Sequence, residues 1–75
     1  MSEMRIMNEK AGDLKVIWDK DNQTEVDAAE EQFDSLLKKG YIAYTVDKKG
    51  EKAKQIRKFD ADAEKIILAP MLQGG

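Results

Sequence analysis

The chain contains neither cysteine nor histidine. Without cysteine there is no disulfide, no thiolate ligand and no sulfur nucleophile. Without histidine there is no imidazole acid–base group and no Cys/His zinc site. Carboxylates, lysines, two tyrosines and a few hydroxyls remain, so an enzyme carrying its own catalytic machinery is not expected, and neither is a bound cofactor. Ser35 stands in a helical pattern with no base in a motif relation to it, which leaves nucleophilic catalysis without a candidate. Long apolar runs are missing too: none approaches the roughly 20 residues that span a bilayer. Met1-Ser2-Glu3-Met4 does not read as a secretory signal, so a cytoplasmic location is expected. Net charge is −2, which disfavours a general nucleic-acid binder. Seventy-five residues make one small domain, burying only about 60% of the surface of its unfolded chain.

What is present divides into short elements. Residues 4–7 are apolar-rich, and the polar segment after them closes on Gly12-Asp13, a turn signal. Leu14-Lys15-Val16-Ile17-Trp18 is β-branched and aromatic and predicts a strand, so the first two strands form a hairpin. Val26, Ala29, Phe33, Leu36 and Leu37 recur at spacings of three and four, which predicts a helix over about residues 25–39, roughly 22 Å long. Thr24 is the expected cap, with Asp27 three residues on; Lys38-Lys39 fill the last turn and Gly40 supplies a left-handed stop. Tyr41-Ile42-Ala43-Tyr44-Thr45-Val46 predicts the next strand, and residues 47–51 a turn. Residues 52–59 fit either a helical turn or a bulged strand, since only Ile56 and Phe59 are apolar anchors. Lys65-Ile66-Ile67-Leu68-Ala69 is a continuous apolar run, expected of a centrally held strand, and Pro70 ends its pairing.

A lone amphipathic helix must bury its stripe on something, and the only surface available is a sheet. The expected architecture is α+β, a mixed sheet with one helix packed across it. Leu14, Val16, Trp18, Ile42, Tyr44, Val46, Ile66 and Leu68 would face Phe33 and Leu37. Ile17, Ala43 and Ile67 would lie on the opposite face as a small patch for a partner. Residues 1–69 would form the domain and 70–75 a flexible tail.

That tail carries the chemistry. Two terminal glycines place a free carboxylate on a backbone without side chains, able to thread a narrow enzyme channel. At average glycine usage the pair is a roughly 1-in-200 coincidence. A hairpin, a helix across the sheet, further strands and a last strand running into Gly74-Gly75 together resemble a β-grasp protein of the ubiquitin-like group, whose prokaryotic branch includes small modifiers and sulfur carriers. The pattern covers the whole chain, while Gly74 and Gly75 are the residues that match a functional motif. Ubiquitin ends Leu-Arg-Gly-Gly; here Leu72 and Gln73 precede the glycines.

The resemblance implies a protein modifier whose Gly75 carboxylate is adenylated by an activating enzyme and passed to an amine, with Gly74 permitting channel entry and Met71, Leu72 and Gln73 read by partners. Those partners would be the adenylating enzyme, a conjugating enzyme, a JAB-type metal-dependent isopeptidase and acceptor lysines. The alternatives are a sulfur carrier bearing a C-terminal thiocarboxylate, and a noncovalent adaptor with an idle tail.

Two other patterns carry less. Lys48, Lys49, Lys52, Lys54, Arg57 and Lys58 form a basic run, but with one nearby aromatic it fits a solvated strand edge better than a nucleic-acid groove. Asp19, Asp21, Gln23, Asp27 and Glu30 approach calcium-loop spacing, yet Thr24 occupies the place that needs glycine. A loop and an acidic helix start account for them, and no metal is expected.

Overall fold

A computed structural model describes residues 1–8, 12–46 and 53–70 of the chain. Strands β1 (Ser2–Ile6) and β2 (Leu14–Trp18) precede helix α1 (Gln23–Lys38), followed by β3 (Tyr41–Val46), β4 (Ala53–Ile56) and β5 (Lys65–Pro70). The five strands form one sheet in the order β2-β1-β5-β3-β4. β1 and β2 pair antiparallel as a hairpin, β5 lies parallel to β1, and β3 runs antiparallel to both β4 and β5. With α1 packed across one face, this is the β-grasp arrangement of the ubiquitin-like fold. Residues 9–11 and 47–52 lie outside the description, and with them most of the expected turns.

The helix forms on its apolar stripe but begins earlier than Thr24. Asn22 is the cap: its side-chain oxygen accepts from the Glu25 N–H at 3.3 Å, while the Glu25 carboxylate accepts from Asn22 Nδ2 at 3.3 Å and from the Asp19 N–H at 2.9 Å. Asn22 is thus the working cap, with Glu25 reaching back to its side chain and to Asp19, and Thr24 lies inside the first turn. At the other end Gly40 takes φ +99°, the left-handed stop expected of it, and donates to the Leu37 carbonyl at 3.0 Å.

The core is Met4, Ile6, Trp18, Ala29, Phe33, Ala43, Ile66 and Leu68. Val16, Val26, Leu36, Leu37, Tyr41, Ile56, Phe59 and Ala63 pack around it. Trp18 and Phe33 both meet Phe59, at centroid separations of 5.0 Å and 5.6 Å. Phe59 therefore closes the core from the connection between β4 and β5. The buried indole is satisfied there as well, since Trp18 Nε1–H donates to the Ala61 carbonyl at 3.0 Å. The ambiguous stretch contributes a short edge strand, Ala53–Ile56, not a helical turn.

One expectation about the sheet is overturned. Neighbouring residues across a ladder point to the same face, and Ala43 is registered between Leu68 of β5 and Ile56 of β4. Leu68 is buried under the helix, so Ala43 is buried with it. Ile42, Tyr44 and Val46 turn to the open face instead, because the side-chain period of a strand is two and one fixed position fixes them all.

Candidate functional site

β5 is the sheet's central strand, held by β1 on one side and β3 on the other. Its last residue, Pro70, is registered with Tyr41, one place beyond the expected end of pairing. The Met7 N–H donates to the Leu68 carbonyl at 2.9 Å and locks the end of β1 beside it. Proline at this terminal position removes a donor only where the ladder finishes. The chain is therefore delivered to residue 71 from a strand paired along both edges. Met71, Leu72, Gln73, Gly74 and Gly75, the residues of the expected tail chemistry, lie outside the described residues.

The expected partner patch is not one patch. Ala43 belongs to the core, for the register reason given above. Ile17 is 51% exposed on β2, where it is registered with Glu3 of β1, whereas Ile67 on β5 is registered with Arg5. Two strand spacings and a two-residue offset put Ile17 and Ile67 about 12 Å apart. Charged side chains occupy the ground between them. Glu3 Oε2 accepts from Arg5 Nε at 3.4 Å and lies 3.5 Å from Lys15 Nζ. Ile67 instead adjoins Tyr44, and Ala69 adjoins Ile42, in the β3–β5 register. The open face is thus divided into an ionic half on β1 and β2 and an apolar strip of Ile42, Tyr44 and Ile67. Ile42 and Tyr44 are the residues that sequence reasoning missed. The available signal was Ala43 itself: a small residue between two large apolar ones marks the close approach of a helix.

Desolvation pushes the Glu3 carboxyl up, but the Arg5 hydrogen bond and the charges of Lys15, Arg5 and Lys65 outweigh it, so the group titrates below the ordinary carboxylate range. A carboxyl lowered on folding stabilises the fold above its unfolded pKa, and that contribution is lost as pH falls through the folded value. The pair is exposed, so the effect is under about 1 kcal/mol. Glu3→Gln is expected to flatten the acid side of the Tm-against-pH curve and to lower Tm slightly at neutral pH. An identical acid limb in the variant would remove Glu3 from the ionic half.

Two of the acids that approached calcium-loop spacing, Asp19 and Asp27, are engaged locally. Asp19 accepts from the Asp21 N–H at 2.9 Å, and Asp27 accepts from Gln23 Nε2 at 2.7 Å. Among the described residues no group of three or more Asp or Glu is arranged to hold a metal ion. Within the basic run, Lys54, Arg57 and Lys58 are exposed on and after β4, and Lys48, Lys49 and Lys52 lie outside the described residues. No helix is long and apolar enough to cross a membrane among the described residues. Comparison with protein-family models, curated proteins and solved structures gives no match, so the fold assignment stands on strand order, strand direction and the position of the helix.

Proposed function

We propose that the protein is a ubiquitin-like modifier whose Gly75 carboxylate is activated and transferred to an amine. The observation that supports this best is the position of β5: in the β-grasp order, the central strand runs directly into Met71-Leu72-Gln73-Gly74-Gly75. The chain contributes a carboxylate and a threadable backbone, and its partners contribute the catalysis. An adenylating enzyme joins the Gly75 carboxylate to the α-phosphorus of ATP and releases pyrophosphate. A thiolate of that enzyme or of a conjugating enzyme then displaces AMP to give a thioester. The neutral amine of an acceptor lysine displaces the thiolate and leaves an isopeptide amide, which a JAB-type isopeptidase could hydrolyse.

Gly75 must carry the free carboxylate in the working protein, as encoded or after trimming, so intact mass is the first measurement. Purified protein incubated with ATP and host lysate is then expected to form higher-mass adducts that vanish on deletion of Gly75. A mass increase matching replacement of one carboxylate oxygen by sulfur, with no adducts, would favour the sulfur carrier.

A noncovalent adaptor is favoured by one specific observation, the apolar strip of Ile42, Tyr44 and Ile67 on the open face. In that case Ile67→Asp abolishes partner capture while deletion of Gly75 changes nothing.

A further inference from the structure

The two ends of the sheet differ in chemistry. β4 is an edge strand whose only neighbour among the described residues is β3, so alternate backbone N–H and C=O groups face outward along it. Beside it runs an apolar groove of about 360 Å³ lined by Leu37, Tyr41, Ile42, Gln55, Ile56 and others. The groove is bracketed by positive charge. Lys54 and Arg57 flank Gln55-Ile56, about 10 Å apart along the chain direction. Lys58 follows in sequence, and on the helix side Lys38-Lys39 come directly after Leu37, which lines the groove. All five are exposed and form no ion pair among the described residues. In a chain with 15 acids and net charge −2, neither segment 35–40 nor segment 53–59 contains a carboxylate. The local sign opposes the sign of the whole.

We propose that β4 and this groove take an extended acidic peptide segment of a partner protein, added as a further strand with one apolar side chain seated against Leu37 and Ile56. Backbone pairing to an open edge supplies affinity, and pockets for alternate side chains supply selectivity. Charge decides among occupants. Two β4 edges of this chain brought together would oppose Lys54 and Arg57 with like charges, which is how lysine-bearing edges resist self-pairing. An acidic strand turns that repulsion into attraction at the same positions. The proposal uses no residue of the tail, so it is open to test whether or not Gly75 is ever conjugated.

The test uses isotope-labelled full-length protein titrated with a synthetic peptide Glu-Val-Asp-Ile-Glu-Val-Asp, followed by amide chemical shifts. Saturable shifts centred on residues 53–56 and Leu37 are expected, weakening with added salt because exposed charge contacts are screened. The double variant Lys54→Glu, Arg57→Glu changes only exposed side chains. It is expected to bind this peptide about tenfold more weakly and to prefer the same peptide with lysine at the acidic places. An analogue with alternate backbone amides methylated should lose binding in both proteins. The proposal is overturned by shifts centred on β2 or on the open sheet face, by equal binding of the lysine peptide to the unaltered protein, or by no saturable binding at about 1 mM peptide.

Discussion

Trp18→Ala is expected to lower the urea midpoint by about a third or more, and to unfold the chain outright at the low end of the stability range for its size. Trp18 is fully buried and its ring meets Phe59 at 5.0 Å, and Phe59 in turn meets Phe33 at 5.6 Å. Deleting such a ring from a packed core costs about 3–5 kcal/mol. A 75-residue domain has about 4–11 kcal/mol in total at 0.05–0.15 kcal/mol per residue. The loss thus takes a third of the stability or all of it. Trp18→Phe separates two contributions: it keeps an aromatic ring but removes the indole donor to the Ala61 carbonyl, leaving that acceptor unpaired at a cost of about 1–3 kcal/mol. Urea unfolding followed by far-ultraviolet circular dichroism should rank the proteins wild type, Trp18→Phe, Trp18→Ala. An unchanged midpoint in Trp18→Ala would mean that the three rings do not centre the core.

The second large effect comes from adjacent residues of one strand with opposite outcomes. Ala43→Asp places an unpaired carboxylate where the side chain is fully buried, a cost of several kcal/mol in the ionised form. Burial raises the pKa of that new carboxyl above its unfolded value, so the penalty is greatest at neutral and higher pH. It is relieved as pH falls through the raised value. The variant should be unfolded at neutral pH and partly recover structure under mild acid. Tyr44→Asp, one residue on and facing away from the helix, is expected to cost about 1 kcal/mol. Thermal melts of both at two pH values decide the matter. A folded Ala43→Asp beside an unfolded Tyr44→Asp would restore Ile42, Tyr44 and Val46 to the core.

That pair of residues also shows where sequence information ends. The helix was legible because Val26, Ala29, Phe33, Leu36 and Leu37 obey one period and Gly40 stops it. Strand β5 was legible because its apolar run suits a strand with neighbours on both sides. Strand β3 was legible as a strand with its bounds, but its inward face was not, since Tyr41-Ile42-Ala43-Tyr44-Thr45-Val46 has apolar groups at both parities. Bulk alone favoured Ile42, Tyr44 and Val46 inward, while the β5 register chose Ala43. The helix start was ambiguous for a similar reason: Asn22-x-x-Glu25 and Thr24-x-x-Asp27 are both capping patterns. Asp19, reached through the Glu25 carboxylate, favoured the first. Phe59 and Ala63 were hard to place because they reach the core from a connection, where no period exists to reveal them. Of the candidate site, Gly74 and Gly75 were visible as residues, and Ile17 and Ile67 as open-face positions. The ionic ground between those two isoleucines was not visible, because it depends on the register of β1 with both neighbours.

The parallel pairing of β1 with β5 has a consequence for synthesis. Glu3 is matched to Lys65 and Ile6 to Leu68, so the sheet is closed by joining the two regions of the chain farthest apart in sequence. Contacts of such high order form late and slowly. Until β5 has been made, a nascent polypeptide has a hairpin and a helix to collapse but lacks Ile66 and Leu68, two of the largest buried side chains. Cooperative folding must wait until Pro70 has emerged. A prematurely released fragment would therefore be a substrate for proteases rather than a defective competitor.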